Sequence, residues 1–316
     1  MRQIPVGFTR EDLQAQKAAE KDFGRLNWVG MSGLQVPVRF AHPDLKSVSA
    51  MAKSDAFVSL DRSDQRGIHM SRVYQALEQE FLREGCWSDS SLKDFGKRLL
   101  STQEGAARNF RVNLELELPL SRKALVSQGS GWRSYPLSIH LLGSSDSVAV
   151  GLSSEILYSS TCPCSAGLAR ELNYEAFQKH FEGKDTLSMS EALGFMKSKE
   201  ALAGTPHAQR SRAQWTVHLN SGFENLIGIA AEQIESLEKS LATPVQTLVK
   251  REDEKEFARL NAENLMFCED AARRARDHFQ AQSLIQAFEC KVIHEESLHP
   301  HNAVAVIAEG QMPSFK

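Results

Sequence analysis

Residues 110–118, FRVNLELEL, alternate apolar and polar side chains without a break. Phe110, Val112, Leu114, Leu116 and Leu118 fall on one side, and Arg111, Asn113, Glu115 and Glu117 on the other. Successive side chains of an extended chain point to opposite faces, so period two predicts a strand with one face buried and one wet. That excludes an all-helical bundle and asks for a sheet covered on a single side. Further segments follow the same rule. Residues 147–160 put Val148, Val150, Leu152, Ile156 and Tyr158 on one face, and 213–220 put Ala213, Trp215, Val217 and Leu219 there. Residues 284–292 do so with Leu284, Gln286, Phe288, Cys290 and Val292, and AVAVIA at 303–308 is the last strand expected.

Helical spacing lies between these runs. Ile227, Ala230, Ile234, Leu237 and Leu241 predict a helix over 226–241, with Asn225 as its cap and Pro244 just past its end. The charged, alanine-rich stretch 253–281 suits one long helix or two, and 72–83 and 91–102 are weaker helices. The order is strand, strand, helix, helix, strand, strand, twice over, with a boundary near 145 and no sequence identity between the halves. Paired strands followed by helices predict an α+β fold, mainly antiparallel and covered on one face. A length of 316 residues agrees with two units of about 150. The stretch 171–204 breaks the pattern and reads as a helical insertion at a strand junction.

Composition narrows the function classes. A chain 41% hydrophobic and 24% charged can bury a core, and its net charge of −3 offers no general attraction for nucleic acid or an anionic membrane. No apolar run approaches the length of a membrane span, and the N-terminus carries no apolar core of a secretory signal. The cysteines are Cys86, Cys162, Cys164, Cys268 and Cys290, an odd number without disulfide-framework spacing, which points to a reducing cytoplasm.

No P-loop, GxGxxG, HExxH or nucleophile-elbow motif occurs. What remains is the pair Cys162-Pro163-Cys164 with His207, Glu254, His299 and His301. Each alone reads as an ordinary residue; together they are the ligand types of a zinc-like catalytic site. No second cysteine pair exists to close a structural zinc ribbon. On an extended segment both thiols would enter one cavity, one binding metal while the other stays free for proton or nucleophilic work. Two basic clusters, Arg66 to Arg72 (including His69) and His207 to Arg212 (including Arg210), could grip phosphates. Read this way, the residues describe a metal-assisted hydrolase and name no substrate.

Seven stretches carry a resemblance: VGMSGLQVPVRF (29–40), RGIHMSRVY (66–74), SSTCPCS (159–165), HAQRSRAQ (207–214), LVKREDEK (248–255), FCEDAARR (267–274) and HEESLHPHNA (294–303). Together they resemble GTP cyclohydrolase type IB, a prokaryotic enzyme of folate synthesis. The resemblance departs at 171–204, where the family's connection is much shorter. It implies a tunnelling fold, with two four-stranded antiparallel sheets per subunit, each with a helix pair, over residues 1–145 and 146–316. It further implies a cytoplasmic homotetramer with sites at subunit interfaces. The implied reaction converts GTP and water into 7,8-dihydroneopterin triphosphate and formate. It implies a divalent metal (zinc, manganese or iron) held by the Cys-Pro-Cys segment, His207, Glu254 and His299. Cys162 is assigned to the metal and Cys164 to proton transfer, with the reverse open, and His301 is placed in the catalytic set. Arg210 or Arg212, with His69 or Arg72, would hold the triphosphate. Glu269, at a helix start, would accept the guanine N1–H and 2-amino group, with Glu296 as second candidate. A nitrile reductase of the same fold needs a Glu-Ser-Lys-Ser-type stretch, whereas this chain reads Glu296-Ser297-Leu298-His299. A non-catalytic purine- or pterin-binding protein is the remaining reading.

Overall fold

The computed structural model describes residues 22–83, 85 and 87–315. The N-terminal segment read above as lacking a secretory signal lies outside them up to residue 21, as does Cys86. Eight strands run β1 (Leu26–His42), β2 (Lys46–Leu60), β3 (Asn109–Lys123), β4 (Ser130–Ser144), β5 (Val148–Thr161), β6 (Ala208–Leu219), β7 (Ile285–His294) and β8 (Ala303–Glu309). They form one antiparallel sheet in chain order. The two four-stranded sets are therefore halves of a continuous sheet, joined where Leu137–Gly143 of β4 pairs with Val148–Ser154 of β5.

The first set encloses helices α1 (Met70–Phe81) and α2 (Asp89–Ser101), starting two residues ahead of the expected spans. Ser88 closes a capping box at the start of α2, which satisfies backbone N–H groups the helix cannot. In the second set, α3 (Pro163–His180) and α4 (Met189–Met196) stand between β5 and β6. The insertion is helical, but its first helix begins at Pro163, earlier than 171, because proline's fixed φ suits the first helical position. Helices α5 (Leu226–Leu241), α6 (Arg251–Glu263) and α7 (Cys268–Gln280) precede β7. Asn225 caps α5 as expected, its Oδ1 accepting the Gly228 N–H at 3.0 Å. The stretch 253–281 is two helices, because the Met266 N–H leaves the helical pattern to donate to the Thr161 carbonyl at the end of β5 (3.1 Å).

The core lies between the sheet and the helices on one face. Phe110, Val112, Leu114, Leu116 and Leu118 are all buried, as their alternation requires. The rings of Phe95 in α2 and Phe110 meet edge to face at 6.0 Å, and Phe279 in α7 packs on Trp215 of β6. Each such side chain contributes about 1.5–3 kcal/mol by leaving water. One expected inward residue is not inward. Gln286 is exposed while its neighbour Ala287 is buried. The pairing explains this: His218 faces Ala287 but Leu219 faces Ile285, so β7 carries a bulge at Gln286 that resets the alternation. From there Phe288, Cys290 and Val292 point into the core.

Candidate active site at one end of the sheet

The ends of β5 and β7 and the start of β6 meet at one end of the sheet, and most of the expected residues collect there. Beyond Thr161, the Cys162 N–H donates to the His207 carbonyl (3.4 Å), and the Ser165 hydroxyl accepts the His207 N–H (3.0 Å). The insertion thus leaves and rejoins the sheet at a neck where Cys162 and His207 are adjacent. Cys162 has an extended backbone and caps α3, whereas Cys164 lies within the first turn of that helix. The two thiols do not share one extended segment. Residues two apart on a helix are separated by slightly more than half a turn, so the same-face argument does not hold here. Cys162 is half-buried and Cys164 exposed; the four described cysteines are free thiols.

The His207 ring is fixed from one side. Its Nδ1 lies 3.0 Å from Gln209 Oε1 and 3.8 Å from Glu296 Oε2. Gln209 is buried and donates through Nε2 to Ser160 Oγ (2.9 Å). The sequence does not single out Gln209, which stands at the start of β6, two residues past His207. Nor does it single out Glu295. It and Glu155 both accept hydrogen bonds from the Arg212 guanidinium, whose pKa these carboxylates raise. Arg212 is therefore occupied by two glutamates, while Arg210 is exposed.

Glu269 comes to the same end through α7, whose start is tied to β5 by the bond from Met266 to Thr161. It is exposed, and its carboxyl is held below the ordinary range by its own backbone N–H at the helix start and by the Cys268 thiol, 3.3 Å away. Glu254 lies exposed in the first turn of α6. That turn is anchored by buried Asp253, which accepts the N–H groups of Val126, Ser127 and Lys250 and the Ser127 hydroxyl. Farther along, Asn261 of α6 accepts the Ser159 hydroxyl at 2.7 Å. His299 and His301 sit exposed in the loop between β7 and β8, their rings stacked at 5.1 Å.

Two expectations are not met within one chain. Among the described residues, no three His, Cys, Asp or Glu side chains are gathered closely enough to hold a metal ion. The cluster from 66 to 72 lies at the opposite end of the sheet, following the end of β2: Gln103 Oε1 accepts the His69 N–H, and Arg72 bonds to Glu104 and the Thr102 carbonyl. Strands of some fifteen residues put roughly 45 Å between the two ends.

Three histidines of this body are shifted by burial alone or chiefly by it. His294 is pushed down to about 4, and His218 and His278 are lowered. Their native forms bind fewer protons than the unfolded chain near pH 6. Stability is therefore present in full above the ordinary histidine pKa and is lost as pH falls from about 6.5 toward 4. The melting temperature measured across that window should drop steadily, and replacing His294 by glutamine should flatten part of the slope.

Among the described residues, no helix is long and apolar enough to cross a membrane. The family model described as type I GTP cyclohydrolase folE2 matches residues 11–305. The chain is 40% identical over 302 residues to the GTP cyclohydrolase FolE2 of Pseudoalteromonas translucida (strain TAC 125), covering 96% of this chain and 98% of that one. It is 42% identical over 302 residues to the GTP cyclohydrolase FolE2 of Pseudoalteromonas atlantica (strain T6c / ATCC BAA-1087), covering 95% and 96%. Among solved structures, uricase from Arthrobacter globiformis superposes with a TM-score of 0.53 at 9% identity, over 94% of this chain and 97% of that one. At that identity the likeness is one of fold, and it agrees with tandem tunnelling-fold halves.

Proposed function

The chain belongs to the type I GTP cyclohydrolase FolE2 family, and on that premise we propose a type IB enzyme whose site is built at the Cys162–His207 neck. It acts on GTP in the folate pathway, converting GTP and water into 7,8-dihydroneopterin triphosphate and formate. The observation that carries the assignment is the neck itself, where the backbones of Cys162 and His207 are hydrogen-bonded and Glu296 Oε2 lies 3.8 Å from the His207 ring. Incubation with GTP and a divalent metal, followed by oxidation and a reading of pterin fluorescence, tests it. A nitrile reductase or a non-catalytic binding protein would give no signal.

In kind, the donors fit a divalent transition metal. Sulfur from Cys162 and nitrogen from His207, with oxygen from Glu254 and nitrogen from His299, make a mixed set that suits zinc, manganese or iron. Such an ion supplies hydroxide near neutral pH for attack on the purine C8. The chain's own groups do the rest. Cys164 and His301 move protons as the ring opens, and Arg210 or Arg212 holds the triphosphate. Glu155 and Glu295 orient Arg212. A site shared between copies in a homotetramer is supported by the position of His69 and Arg72, which could reach the same triphosphate only from a second chain. The division into halves at 145 falls in the turn between β4 and β5. A cytoplasmic location accords with the free thiols.

Two outcomes follow. Arg210→Ala should raise KM for GTP about 10–100-fold, the worth of a charge-assisted hydrogen bond, and change guanosine turnover little. Glu269→Gln keeps shape but turns one acceptor toward guanine into a donor. GTP affinity should fall by about 2–3 kcal/mol while metal content stays intact. Unchanged affinity in a titration would move the guanine anchor to Glu296.

A further inference from the structure

A hydrogen-bonded row runs inward from the His207 ring. Gln209 Oε1 lies 3.0 Å from His207 Nδ1, Gln209 Nε2 is 2.9 Å from Ser160 Oγ, and Ser160 Oγ is 2.8 Å from Ser211 Oγ. Beyond it, Ser211 lies opposite both Tyr158 and His294 in the strand pairings, and the Tyr158 hydroxyl is 2.9 Å from His294 Nε2. Gln209, Ser160, Ser211, Tyr158 and His294 are all buried, so none can turn to water instead. An amide accepts through its oxygen and donates through its nitrogen, so Gln209 between His207 and Ser160 has two settings. Running inward, His207 Nδ1–H donates to Gln209 Oε1, and the amide NH2 donates to Ser160. Running outward, the Gln209 amide is flipped, Ser160 donates to its oxygen, and its NH2 group faces a bare His207 Nδ1.

Glu296 decides between them. Its Oε2, 3.8 Å from His207 Nδ1, is an acceptor only, and favours a proton on that nitrogen over a lone pair. We infer that Gln209 is a positioning residue: it closes an inward-running row that holds His207 as its Nδ1–H tautomer, leaving the Nε2 lone pair free for a metal ion. The inference rests on the reading of His207 as a metal ligand only for its last step.

The test is nitrogen-15 NMR of histidine-labelled, metal-free protein at a pH where imidazoles are neutral, with His207→Ala and His294→Gln to assign the signals. Wild type should show Nδ1–H at His207. Gln209→Leu should shift His207 toward the Nε2–H form and weaken zinc binding about 10–100-fold. Gln209→Glu accepts on both sides and should keep both His207 as Nδ1–H and the zinc affinity, a rescue that mere loss of packing at this position cannot produce. An Nε2–H form of His207 in wild type, or a His207 tautomer indifferent to Gln209→Leu, overturns the inference. If the tautomers behave as expected while zinc affinity ignores both Gln209→Leu and His207→Ala, the row stands and the metal reading fails.

Discussion

Stripped of divalent metal by a chelator and then desalted, the protein is expected to lose GTP turnover by more than about a thousandfold, and to regain it when zinc, manganese or iron(II) is added back. The size follows from the nucleophile. Bulk water has a pKa near 15.7, and a bound ion brings it to about 7, so that hydroxide is abundant at neutral pH. No side chain of the proposed site matches that: Cys164, His299 and His301 are exposed and can carry protons, but cannot lower the pKa of water so far. The measurement is pterin fluorescence after oxidation, before and after metal is restored. Full turnover in metal-free protein would refute the proposed mechanism. Restoration by one metal alone, at equal occupancy, would identify the ion the site is tuned for.

The second large effect separates the two thiols. Cys162→Ala and His207→Ala are expected to lose bound metal and to lower kcat by more than about a hundredfold, since even partners behind a ligand are worth 10–100-fold. Cys164→Ala should retain metal and lose turnover. The structure alters the argument for this. Cys162 is at the neck beside His207, whereas Cys164 lies in the first turn of α3 and is exposed. Metal content and kcat of the three variants decide the roles. Metal loss confined to Cys164→Ala would exchange them, and metal retention in all three would remove the neck from the metal site.

These experiments also mark how far local sequence reaches. Period two in 110–118 and the apolar spacing of 226–241 were legible because each depends on neighbours a few residues away, and Phe110 to Leu118 and Ile227 to Leu241 are buried as those spacings demand. The site stretches were legible as residue types in a family pattern. Their meeting was not. The phase of β7 depends on a bulge opposite His218 and Leu219, which only pairing with β6 reveals. Cys164 left the strand because Pro163 starts a helix that the alternating pattern before it does not announce. Arg212 is held by Glu155 and Glu295, far away in the chain, so its charge could not be judged from HAQRSRAQ alone. Sequence by itself determined the strands that alternate clearly, the helix at 226–241 and the chemistry on offer, because propensity and alternation act over a turn or a strand. Tertiary structure decided which of those groups touch, because strand register and helix docking join residues a hundred positions apart, such as Ser159 to Asn261 and Tyr158 to His294.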